Sequence, residues 1–128
     1  MIRGQITERG IYFEIELVTS DGEEIPVDVL FDSGFTSGIL AIHVQDIDAF
    51  GWESLEQELE IPTAGGLSQF TAYRGDVIID GQRLTLPVLA GDLPEEDRVL
   101  LGYRIKALFN LILDTEREIA TLTLKGRK

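Results

Sequence analysis

The stretch VDVLFDSGFTSGIL, residues 27–40, runs Val27, Val29, Leu30 and Phe31 toward a core and ends the apolar run on Asp32, followed by Ser33 and Gly34. Aspartate is a poor strand former and a costly group to bury. Its place at the end of an apolar strand therefore demands a reason, and two readings supply one. In the first, Asp32 opens an ordinary Asx-type turn, since Asp, Ser and Gly are all turn formers. In the second, it is half of a catalytic site.

Around this stretch the chain reads as β structure. GIYFEIELV (10–18) alternates Ile11, Phe13, Ile15 and Leu17 with Tyr12, Glu14 and Glu16, giving one dry and one wet face. Asp21-Gly22 is a hairpin signal, and IPVDVLF returns as the next strand. DVIID and RLTLPVLA form a second hairpin turning at Gly81, with Leu84, Leu86 and Val88 on one face. NLILD and EIATLTL form a third, joined around Thr115 and Glu116. Helical signal is confined to HVQDIDAF (43–50) and YRIKALF (103–109), each enough for one or two turns. The expectation is a single all-β domain over residues 1–128, a closed barrel with one or two short helices.

Composition narrows the function. The 128 residues are 44% hydrophobic and 27% charged, a globular balance. A formal net charge of −12 speaks against nucleic acid or an anionic membrane as partner. There is no cysteine, which removes disulfides, thiolate zinc sites and cysteine nucleophiles. No apolar stretch approaches a membrane span and MIRGQITERG lacks the apolar region of a signal peptide, so a cytoplasmic location is expected. The one histidine, His43, argues against histidine-pair metal sites and a Ser-His-Asp triad. It is expected at the surface or at a helix start. The acidic run PEEDR (94–98) is expected to be a solvated loop rather than a cation site. No metal and no cofactor are expected.

Asp32 remains. Hydrolysis of a peptide without a metal or covalent nucleophile needs a water held between two carboxylates that share one proton. Such carboxylates belong on a rigid, tight loop. A small hydroxyl residue after the acid can brace that loop, and a glycine lets backbone and substrate come close. VLFDSGFTSGIL resembles the active-site loop of retroviral-type (clan AA, retropepsin-like) aspartic proteases, in particular the single-domain members found also in bacteria and archaea. Three further segments match in order. IPTAGGLSQF (61–70) stands where that family has its flap, with Ala64, Gly65, Gly66 and Leu67 at the tip. RVLLG (98–102) resembles the strand behind the catalytic loop, through Leu100, Leu101 and Gly102. YRIKALFNLILD (103–114) resembles the short helix and strand that come next in the family. The likeness spans residues 11 to 124.

What the resemblance implies is a homodimeric aspartic endopeptidase acting on a peptide or protein substrate. One chain carries one Asp-Ser-Gly; Asp114-Thr115-Glu116 lacks the glycine and reads as a hairpin turn. Asp32 of two chains would meet across a two-fold axis. By resemblance, Ser33 would brace the loops, Gly34 would hydrogen-bond the substrate backbone, and Gly65 and Gly66 would let the flaps move. The chain departs from the pattern at three places: Phe35 replaces a small residue, Thr36 stands where an acid is expected, and Arg104 comes one position late for the arginine that would pair with that acid. The alternative reading keeps the dimeric fold as a peptide-binding or scaffolding module without turnover.

Overall fold

The computed structural model describes residues 1–63 and 66–126. Among the described residues, ten strands run in the order β1 (Ile2–Thr7), β2 (Gly10–Val18), β3 (Glu24–Asp32), β4 (Leu40–His43), β5 (Ser54–Thr63), β6 (Gly66–Ile79), β7 (Gln82–Gly91), β8 (Val99–Gly102), β9 (Phe109–Asp114) and β10 (Ile119–Leu124). Their sheet order is β5-β6-β7-β4-β8-β3-β2-β1-β10-β9, and a further pairing of β6 with β2 joins its two halves. Six strands, β2, β3, β8, β4, β7 and β6, thus close into a barrel, sealed where Glu16 and Leu17 face Ile78 and Val77. Closure removes the edges of these six strands. β5 remains outside on β6, and β1, β10 and β9 extend the sheet beyond β2.

The three expected hairpins are present. Phe13, Ile15 and Leu17 of β2 are buried while Glu14 is exposed, as the alternation requires. Beyond β2, the Glu23 carbonyl accepts from the Thr19 amide and the Thr19 carbonyl accepts from Gly22. The β6–β7 turn places Asp80 and Gly81 both at positive φ, 56° and 70°, the geometry of a two-residue hairpin turn that follows the sheet's own twist. In the β9–β10 turn the Arg117 amide donates to Asp114 Oδ1 at 3.1 Å, so Asp114 shapes a turn.

The two helical stretches are present at the short end of the expected one or two turns. Ile47–Phe50 and Tyr103–Ala107 are single 3₁₀ turns. Gly51, with φ of 69°, ends the first at once, and the second is squeezed between two strands. His43 is placed differently from expectation. It closes β4 and is only 3% exposed, because β4 is covered on both faces.

That double burial defines the architecture. On β4, Leu40 and Ile42 point into the main core while Ala41 joins a second apolar cluster; on β7, Val88 and Ala90 do the first and Leu89 the second; on β8, Leu101 and Leu100 divide in the same way. These strands carry near-continuous apolar runs because both their faces are dry. The main core, with Phe13, Leu17, Val29, Ile79 and Phe109, fills the barrel and the layer beneath β1 and β10. The second, with Phe35, Ala41, Ile61, Phe70, Ala72, Leu89, Leu93 and Leu100, lies on the barrel's other side, under the β5–β6 hairpin.

Candidate active site

β3 delivers Asp32 to the surface beside β8. The two strands run parallel with Leu30 opposite Leu100, Phe31 opposite Leu101 and Asp32 opposite Gly102. At Asp32 the chain turns: the Gly34 amide donates to Asp32 Oδ1 (2.9 Å) and the Phe35 amide to the Asp32 carbonyl (3.1 Å). The Asx-turn reading is therefore correct as local geometry. It also fixes the carboxylate half-buried in a tight loop.

Three bonds tie this loop to the end of β8 and the 3₁₀ turn beyond it. The Gly102 amide donates to the Ile39 carbonyl (2.7 Å), the Tyr103 amide to the Phe35 carbonyl (2.9 Å) and Arg104 Nε to the Thr36 carbonyl (2.9 Å). The displaced arginine thus does reach the loop, at a main-chain carbonyl rather than at an acid in position 36. Gly102 is required for this closeness, since a β-carbon there would run into the Gly38 carbonyl oxygen and the Phe35 ring.

Asp32 opens onto a cleft of about 670 Å³. Leu30, Gly34, Phe35, Ala41 and Leu100 line it on the Asp32 side, Ile61, Pro62, Ser68 and Phe70 come from the β5–β6 hairpin, and Asp92, Leu93, Pro94 and Asp97 come from the loop between β7 and β8. Phe35, which departs from the resemblance, sits 7% exposed in the second apolar cluster, so its ring builds the cleft wall instead of blocking the opening.

The expected site residues separate into three groups. Asp32, Gly34 and Leu100 line the cleft together, and Gly102 backs it through its pairing with Asp32. Leu101 is fully buried in the main core, and Ser33 is exposed outside the cleft lining. At the stretch read as a flap, β5 and β6 pair antiparallel, with Thr63 opposite Gly66. Gly66 has φ of 113° and Leu67 is 68% exposed. Ala64 and Gly65 lie outside the described residues.

Sequence reasoning missed the far wall. Asp97, in the run expected to be solvated, is anchored: Tyr12 Oη donates to its Oδ1 (2.9 Å) and Arg9 Nη2 stands 3.6 Å from its Oδ2. Burial, and then this carboxylate, push the Tyr12 hydroxyl above its ordinary range, so it stays a donor at neutral pH. Arg98 is bound through two nitrogens to Asp46 (2.8 and 3.0 Å) and also to Glu95. Behind the wall, the Gln45 amide donates to His43 Nδ1 (3.1 Å), and His43 Nε2 faces Asp92 Oδ1 at 3.7 Å and Glu95 at 4.0 Å. The alternation of Tyr12 in β2 was readable; its partner 85 residues away was not.

Among the described residues, no group of three or more histidine, aspartate or glutamate side chains is arranged to hold a metal ion. No described helix is long and apolar enough to cross a membrane.

No protein-family model matches the chain, and no curated protein matches it in sequence. Among solved structures, the EIAV protease in complex with the inhibitor HBY-793 aligns with a TM-score of 0.53 at 16% identity, over 73% of this chain and 84% of that one. The fold is thus that of the retropepsin-like β-barrel, a likeness of architecture.

Proposed function

We propose that the chain is a single-domain, cytoplasmic aspartic endopeptidase that works as a homodimer, with Asp32 of two copies holding one water. The observation that carries this reading is the position of Asp32: a half-buried carboxylate, on a loop braced by Gly102 and Arg104, at the mouth of a mostly apolar cleft in a retropepsin-like barrel. An ordinary turn needs neither the cleft nor the braces.

The chemistry calls for the second copy. One Asp32 takes a proton from the water as the water oxygen attacks the scissile carbonyl carbon, while the other, protonated, gives its proton to the carbonyl oxygen. Collapse of the resulting diol breaks the C–N bond as a proton passes to the nitrogen. Ser33 would brace the paired loops, Gly34 would present backbone to the substrate, and the stretch read as a flap, with Gly66 and Leu67, would close over it. β9 supports pairing of chains. It is an outer strand of the sheet, with Ile112 62% and Leu113 46% exposed, and an apolar edge of this kind invites a partner.

A statine-type transition-state mimic, whose hydroxyl replaces the water, should bind once per two chains and raise Tm, and Asp32→Asn should abolish peptide cleavage with fold and dimer intact. Cleavage blocked by a chelator and unaffected by Asp32→Asn would overturn the assignment. Peptide binding without cleavage by the wild-type chain would establish the scaffolding alternative.

A further inference from the structure

The cleft is apolar over most of its wall, yet three of its lining residues, Asp32, Asp92 and Asp97, are acids and none is a cation. The two that do not belong to the catalytic loop sit together on the β7–β8 loop. Tyr12 occupies one oxygen of Asp97 and so fixes its direction, while the other oxygen faces Arg9, 3.6 Å away on a side chain that is 61% exposed. Asp92 stands on the rim with its side chain 91% exposed and buried His43 behind it. Arg98, the cation next along the loop, is held by Asp46 and Glu95 and does not line the cleft.

We propose that Asp92 and Asp97 make the cleft selective for peptides that carry a lysine or arginine next to the apolar side chain it holds. This rests on the cleft being the peptide site proposed above. Leu30, Phe35, Ile61, Phe70, Leu93 and Leu100 form the apolar seat. A basic side chain can lay its methylene stem along the same surface and bring its charge to the acidic wall. A glutamate at that place meets like charge from the wall and from a chain of net charge −12, which also slows its approach. In a two-fold dimer the wall repeats, so the preference falls on both sides of the scissile bond.

The test uses the Asp32→Asn chain, so binding is read without turnover, and a set of matched apolar peptides in which one residue, moved position by position, is lysine, norleucine or glutamate. Because Asp92 is exposed, the selectivity should be modest: at low salt the best lysine peptide should bind about three- to tenfold tighter than its glutamate counterpart, with norleucine between. The ratio should shrink at high salt. Asp92→Asn with Asp97→Asn should bring the three peptides within about twofold of one another, whatever change in affinity is common to all three. Equal binding of the three at every position overturns the proposal, as does a lysine preference that survives the double substitution. Cleavage of the same peptides by the wild-type chain is measured separately: selective binding without cleavage removes the endopeptidase reading and leaves this one standing, and cleavage without charge preference does the reverse.

Discussion

Arg104 shows how a side chain one position out of register can keep its place in a loop. Its guanidinium needs an acceptor, and a main-chain carbonyl serves where no carboxylate is available. Because Arg104 bonds the Thr36 carbonyl and not the Thr36 side chain, the two residues should respond differently to substitution. Arg104→Gln should lower kcat/KM about fivefold by loosening the loop that carries Asp32, with little change in Tm, because the contact is exposed. Thr36→Ala should leave both unchanged. Equal losses from the two would mean that the threonine side chain braces the loop. Little of this was legible in the sequence. The spacing exposed Arg104 and Thr36 as departures, but a long side chain's reach across 68 residues leaves no local pattern. Asp32 was legible because it breaks one: an acid at the end of an apolar strand is conspicuous. His43 was misread, since its burial depends on what covers β4 and not on its neighbours in sequence.

Among the elements, the β7–β8 loop is tied down by a charged pair near its end. Arg98 clamps Asp46, and its hydrogen bonds, outweighing burial, hold the Asp46 carboxyl below the ordinary value of 3.8. A group lowered in this way adds stability in full above its unfolded value and loses it as pH falls through the folded one. The loop bearing Asp92, Leu93 and Asp97 should therefore loosen below about pH 3.8, read as loss of protection at the Asp97 amide, which donates to the Pro94 carbonyl. Asp46→Asn should cost about 0.5–1 kcal/mol at neutral pH after allowance for solvent screening, and should remove this part of the acid response. An acid response unchanged in Asp46→Asn would place the sensitive group elsewhere. Elements defined by local chemistry were readable: β2 by its alternation, and the turns at Gly22, Gly81 and Asp114 by their residue types. β1 was not. IRGQIT has little alternation of its own and becomes a strand by pairing with β10, from Ile2 opposite Leu122 to Gln5 opposite Ile119, and with β2. Within one chain, then, the N-terminal strand is already joined to the C-terminal one. The two short helical stretches were readable too, though not their 3₁₀ form, which follows from the strands at both ends of each.

At the scale of the whole molecule, charge and chemistry pull in opposite directions. Each chain carries −12, so two paired chains carry −24, and their repulsion must be offset by apolar contact of the kind β9 offers with Ile112 and Leu113. The long-range part is screened over about 10 Å at 0.1 M salt and weakens as acid neutralises carboxylates. Salt or mild acid should thus favour the pair, and these are the conditions in which to look for an active site built from two copies of Asp32. Mixing wild-type chain with Asp32→Asn chain tests that claim most directly. If each site takes one carboxylate from each of two freely exchanging chains, an equal mixture should show about half the activity per wild-type chain, and a ninefold excess of Asp32→Asn about a tenth, because wild-type chains are captured in pairs that lack one acid. Activity per wild-type chain that stays constant across the mixing series, with exchange between chains verified by sedimentation, would contradict the shared site.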